Sequence, residues 1–179
     1  MNYKVVIDFW FNEIPEKQWW IKDEAFDKEI KTRFLQLHQH ANSGELYQWR
    51  ETAEGRLAEI IILDQFSRNI FRDTAKAFAS DPLALVLAQE AIALGEDMKL
   101  TENKRSFFYL PYMHSESLLI HQQAVNLYSK LGNASTLEFE WKHQKIIKKF
   151  GRYPHRNVIL GRESSAEERL FLQQADSSF

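Results

Sequence analysis

Three observations predict that this chain is all-α, with about seven helices in a single domain, residues 1–179. Glycine and proline together make up only ten of 179 residues, which leaves little of the punctuation that sheets and tight turns need. Apolar residues recur at spacings of three and four along most of the chain. Recognisable helix starts and stops flank these stripes.

The elements follow in chain order. Phe9, Trp10, Phe11, Trp19 and Trp20 crowd the N-terminal stretch, and the ordinary use of such residues is core packing. From Asp23, the residues Phe26, Ile30, Phe34, Leu37 and Ala41 trace one amphipathic helix that stops at Ser43-Gly44. A second helix is predicted from about Thr52 to Gln65, with Leu57, Ile60 and Ile61 inward and Gly55 permitting close approach of a neighbour. Ser80-Asp81-Pro82 offers an N-cap candidate and a first-turn proline for a third, which ends at Gly95. From Pro111, the positions Met113, Ser117, Ile120, Ala124, Leu127 and Leu131 predict one helix closed by Gly132. A further helix runs from Ala134 to Phe150, with Gly151 as a left-handed cap. The last opens with a capping box at Ser165–Glu168 and carries Leu170, Phe171 and Leu172.

Composition excludes several classes of function. The absence of cysteine removes disulfides, thiolate catalysis and cysteine-based metal sites. A formal charge of −2 lacks the overall basic excess of a nucleic-acid binder. The longest apolar run, Leu83–Ala88, is far short of the ~20 residues a membrane span needs. With no signal-peptide pattern at the N-terminus, a cytoplasmic protein is expected. Sequence signatures of serine hydrolases, P-loop enzymes, dinucleotide binders and kinases are missing, and no cofactor is expected.

Several residues stand out chemically. Asp64 falls on the stripe that Leu57, Ile60 and Ile61 direct to the core, so its carboxylate needs a partner. Arg68, four residues on, is the nearest candidate, and Asn69 is placed to cap the turn that Asp64–Asn69 is predicted to make. The bland alternative is a structural ion pair at a helix–loop junction. Residues 142–162 carry seven positive side chains and no acidic one, which leaves −9 for the rest of the chain. Lys142, Lys145, Lys148 and Lys149 lie opposite His143, Ile146, Ile147 and Phe150 on a helix, as a solvated face does. The loop Gly151–Asn157 differs. It packs Arg152, Tyr153, His155, Arg156 and Asn157 just past a helix end, a polarity that is either wet or organised around something.

No two histidines form an i, i+4 pair or an HExxH helix, so no metal site is predicted. His114 and His121 share a face of the predicted Pro111 helix but stand ~10.5 Å apart along its axis. His143 lies on an inward stripe and needs a hydrogen-bond partner, which Asp64, Glu116 or the Arg152 loop could supply. His38 and His40 belong to no motif and are assigned to the surface.

The strings Asp8-Phe9-Trp10-Phe11, Leu63–Arg72, Leu110–Glu116 and Phe150–Asn157 with Leu160-Gly161-Arg162 together resemble a family of uncharacterised, mostly bacterial proteins, one of the domains of unknown function. The resemblance covers nearly the whole chain. It implies an all-α, tetratricopeptide-like fold whose repeats are structural rather than legible in sequence, and it implies no activity. The chain departs from the family pattern at Ser67, where that pattern has proline.

Three readings follow, the first two centred on one polar pocket built by the Asp64–Asn69 turn, the start of the Pro111 helix and the Arg152–Asn157 loop. In the first, Arg68, Arg152 and Arg156 bind a small anionic ligand or a carboxylate-bearing peptide, oriented by Asn69, His155 and Asn157. In the second, the pocket is a metal-independent hydrolase or lyase, with Asp64 or Glu116 as base and His114, His143 or His155 as acid. In the third, the polar strings are structural and the helical array is a protein-interaction scaffold. Burial of the strings as interlocked ion pairs favours the third.

Overall fold

The computed structural model describes residues 2–175 and 177, and every regular element among them is helical. The α-helical segments are α1 (Lys4–Asp8), α2 (Glu24–Asn42), α3 (Ala53–Ile61), α4 (Ser67–Ile70), α5 (Asp81–Ala93), α6 (Glu102–Met113), α7 (Leu118–Leu131), α8 (Ala134–Phe150) and α9 (Ala166–Phe171). The all-α expectation is what the structure shows. Two compact units can be told apart. The first comprises the chain up to Arg72 together with Lys76–Pro111; the second comprises Asp73–Ala75 and the chain from Tyr112 onward.

In the first unit, α1 continues as a π turn, Phe9–Glu13, that turns Phe9 and Trp10 into an aromatic core. Phe9 meets Phe34 at 4.9 Å between ring centres, Phe34 meets Phe66 at 4.7 Å, and Trp10 stands edge-on to Phe66 and Phe107. Core packing is therefore the role of Phe9 and Trp10, whereas Trp20 is exposed and lies parallel to the Phe107 ring. Asp23 caps α2 by accepting from the Ala25 and Phe26 amides, and Thr52 caps α3 by accepting from Gly55. Gly55 is required by space: a Cβ there would lie 2.0 Å from the Trp49 carbonyl oxygen. At α5 the prediction is half met. Pro82 occupies the first turn, but the Ser80 hydroxyl donates to Asn42 Oδ1 at 2.8 Å instead of capping the helix.

Two further elements differ from the sequence reading. Asp64–Asn69 is no turn: α3 passes through a π-helical segment, Ile62–Phe66, straight into α4. His38, assigned to the surface, is buried on α2, because its ring nitrogen Nε2 meets the Ser67 hydroxyl at 2.7 Å. Ser67 also donates to the Leu63 carbonyl at 2.6 Å.

The second unit corrects the Pro111 helix. α6 carries Pro111 in its last turn and ends at Met113; the chain then breaks, and α7 starts after Ser117, whose backbone is extended. His114 and His121 accordingly sit on separate elements. The buried stripe of α7 is His121, Ala124, Tyr128 and Leu131, one step from the predicted Ile120 and Leu127. α7 and α8 form an antiparallel pair joined by Gly132 in the left-handed conformation, and Gly151 closes α8 in the same way. Ile146, Ile147 and Tyr153 form a small core covered by Phe150 and Phe171. The predicted capping box of α9 is present, with Glu168 accepting from the Ser165 amide at 2.7 Å.

Candidate functional site

The first unit presents Asp64 on the π segment, with only 1% of its surface exposed. A π turn carries an extra residue, and such turns recur where a helix must aim a side chain. Gln65 Nε2 donates to Asp64 Oδ2 at 2.6 Å, and Arg68 lies 3.2 Å from Oδ1 while also donating to the Asp64 carbonyl. The same guanidinium forks onto both oxygens of Asp81 at 3.0 and 3.1 Å, at the N-terminal end of α5. Asn69 and Arg72 converge on Asp27 of α2. The string Leu63–Arg72 is thus a closed set of carboxylates and donors, and its Phe66 packs beneath the Asp8–Phe11 string.

In the second unit the other two strings meet. Glu116 accepts from the Tyr153 amide at 2.8 Å and holds the Arg162 fork at 2.6 and 2.9 Å. Burial works to raise the Glu116 carboxyl, but the Arg162 and Tyr153 hydrogen bonds outweigh it and hold it below the usual carboxylate range. Arg162 also reaches Asn157 Oδ1 at 3.0 Å, and Asn157 Nδ2 donates to Ser164. Arg152 forks onto Glu168 at 2.7 and 2.9 Å, a hydrogen bond that drags the Glu168 carboxyl down to about 2. Tyr153, fully buried, donates from its hydroxyl to the Met113 carbonyl at 2.5 Å. Around its ring stand His143 at 5.8 Å, His155 at 5.5 Å and the Arg156 guanidinium at 4.6 Å. Arg156 is only 6% exposed; His114 and His155 are half-buried.

This geometry limits the acid–base reading. His143 donates from Nδ1 to the Phe139 carbonyl at 2.7 Å. Burial, followed by the nearby His114, His121 and His155, holds it down at about 3, so at neutral pH it has no second proton to give as an acid. Glu116 already accepts three hydrogen bonds and is a poor base. Tyr153, His121 and Glu140 form a hydrogen-bonded chain reminiscent of a nucleophile, base and orienter. The Tyr153 proton, however, is committed to Met113 and the His121 Nε2 proton to the Ser115 carbonyl, and all three side chains are buried. That chain is structural. Among the described residues, no group of three or more His, Asp or Glu side chains is arranged to hold a metal ion.

Asp64, Arg68 and Asn69 therefore belong to the first unit, and His114, Glu116, His143, Arg152, His155, Arg156 and Asn157 to the second. Sequence reasoning missed Glu140 and Asp27, and it read Asp81 and Glu168 as helix-start residues without their partners Arg68 and Arg152. Glu140 was within reach, since Glu140, His143 and Ile147 share one inward stripe of α8.

The outer face of α8 contrasts with these closed networks. Trp141 is 53% exposed, with Lys145 and Lys148 on the same stripe four and seven residues on. Lys142 bridges to Glu138 and Lys149 to Glu167, but Lys145 and Lys148 have no ion pair among the described residues.

Comparison with known proteins places these features. A family model described as bacterial protein of unknown function, DUF924, matches residues 6–176. A solved structure, the protein of unknown function ATU0120 from Agrobacterium tumefaciens, is 44% identical, with 96% of each chain covered and a TM-score of 0.91. No curated protein matches.

Proposed function

The chain belongs to DUF924, a family of bacterial proteins of unknown function, and from that premise we propose that it is a helical binding module that takes an acidic protein segment on the outer face of α8, with the polar strings as its internal framework. One contrast carries this reading. The string arginines Arg68, Arg152 and Arg162 are each forked onto a carboxylate of their own chain, whereas Lys145 and Lys148 flank an exposed tryptophan with no carboxylate partner among the described residues. Tryptophan with unpaired cations suits a partner that brings negative charge and an apolar side chain together. The proposal retains a cytoplasmic setting and a tetratricopeptide-like arrangement of the helices.

The test titrates the full chain with a synthetic peptide rich in aspartate and glutamate and bearing leucine, against its asparagine and glutamine counterpart. Binding of the acidic peptide alone is expected, weakening as salt rises. It should fall about tenfold or more in Lys145→Ala/Lys148→Ala, and again in Trp141→Ala. Equal binding by wild type and the lysine double variant overturns the proposal.

A second reading, capture of a small anion beside Arg156, draws support from the buried guanidinium over the Tyr153 ring, which His155 also meets. Arg152, Arg68, Asn69 and Asn157, which the same reading enlists, are engaged within the chain. Phosphate, sulfate or citrate should then raise the melting temperature more than chloride at matched ionic strength, and Arg156→Met should erase the excess. An equal response from wild type and variant rejects the small-anion reading.

A further inference from the structure

α7 and α8 are joined by two side chains that are each 0% exposed, His121 and Glu140. His121 Nδ1 lies 2.7 Å from Glu140 Oε1, and His121 Nε2 lies 2.9 Å from the Ser115 carbonyl oxygen. A carbonyl can only accept, so Nε2 carries a hydrogen. The Tyr153 hydroxyl, 3.2 Å from Nε2, spends its own proton on the Met113 carbonyl and offers Nε2 only lone pairs. Two arrangements remain for Nδ1: an imidazolium donating to a carboxylate, or a neutral imidazole accepting from a carboxylic acid.

The far oxygen of Glu140 decides between them. Oε2 is buried with no hydrogen-bond partner among the described residues. In a carboxylate that oxygen would hold half of a full negative charge away from water and from any donor. In a carboxylic acid whose hydroxyl is Oε1, it is a neutral carbonyl oxygen, which tolerates the site far better. We propose that Glu140 is protonated at neutral pH and donates its O–H to Nδ1 of a neutral His121, so that the pair is an uncharged clasp tying α8 to α7 and, through Ser115, to the His114–Ser117 segment.

The surroundings agree. Burial pushes the Glu140 carboxyl up, against the pull of His121. Of the ionisable groups around the pair, His143 on α8 is held neutral, and Glu116 before α7 is matched by Arg162. Tyr153 presents its hydroxyl, His114 and His155 lie close enough to act on His143, and Arg156 and His155 stand at the Tyr153 ring. Removing the shared proton sends the O–H hydrogen to solvent hydroxide and leaves a carboxylate against the Nδ1 lone pair. The clasp is therefore sensitive to alkali: its contribution is present at low pH and lost as pH rises through the raised carboxyl value.

Isotope-edited NMR of the full-length protein tests this on the wild type. At pH 7 the expected result is a Glu140 carboxyl carbon at the protonated position, identified by its disappearance in Glu140→Gln. The His121 ring should show one protonated nitrogen, Nε2, and one bare nitrogen, Nδ1. Two protonated ring nitrogens with an ionised Glu140 overturn the proposal. Glu140→Gln, whose amide can donate to the same Nδ1, should hold its melting temperature well above that of Glu140→Ala. Equal losses in the two variants also count against the neutral clasp.

Discussion

Asp64, buried, and Glu116, half-buried, are both carboxylates answered by arginine, yet their partners come from different distances along the chain. Asp64 takes Gln65 from the next position and Arg68 from one helical turn away, so much of its network forms as the helix forms. Glu116 waits for Arg162, 46 residues on, and Arg152 waits for Glu168 across 16. The second unit's framework therefore assembles only when distant segments have closed, at the cost of loop entropy that local pairs avoid. A local pair reports on a helix, and a distant pair reports on tertiary closure.

The comparison is most directly broken at Asp64. Asp64→Ala should destabilise by about 3–5 kcal/mol in chemical denaturation, toward the lower end because Asp81 still neutralises Arg68. A loss below about 1 kcal/mol would show that the pair behaves as a solvated one. In the second unit the corresponding lever is pH. His143 titrates near 6.5 when unfolded and near 3 when folded, so the unfolded chain takes up the proton first and stability falls as pH drops from 6.5 toward 3. The slope approaches about 1.4 kcal/mol per pH unit for this one group. His143→Gln should flatten that part of the stability curve, and an unchanged slope would place the titration elsewhere.

Tyr153→Phe removes the donor that satisfies the Met113 carbonyl and should cost about 1–2 kcal/mol with the fold retained, seen as a lowered denaturation midpoint. The smallest effect is expected at Glu168. Its folded carboxyl lies at about 2 against an ordinary 4.5, so the stability it lends is present above 4.5 and lost as pH falls through 2. Glu168→Gln should lower stability modestly at neutral pH and flatten the stability curve between 4.5 and 2, matching the wild type only at the acid end, as read from denaturation midpoints across pH.

The local features were legible in the sequence for the same physical reason that makes them local. Asp64 with Arg68 follows from helical spacing, the Ser165 capping box from its own four residues, and Gly132 and Gly151 from the left-handed caps they form. The long stripe from Pro111 misled because the three-four spacing carries from Met113 through Ser117 to Ile120, across the polar run His114–Ser117 where the helix breaks. The seam of α7 runs instead through His121 and Tyr128, polar residues that burial accepts once each has a partner. The Arg162 and Glu168 pairings had no signal in spacing: a charge match across 16 or 46 residues is one among many until the fold selects it. Glu140, like Asp64, is a carboxylate on an inward helical stripe, a placement readable from spacing alone.

The π turn at Ile62–Phe66 also sets a phase. Holding one residue more than an α turn, it rotates everything after it by roughly 100° relative to an unbroken helix. Arg68 and Asn69 meet Asp81 and Asp27 only in that rotated frame. Deleting a single residue within the segment would let the helix relax to α geometry and swing both side chains about a quarter turn from their carboxylates. The length of this stretch is thus under tighter constraint than the identity of several of its letters, and an alignment gap falling there would signal a different site rather than a tolerated variation.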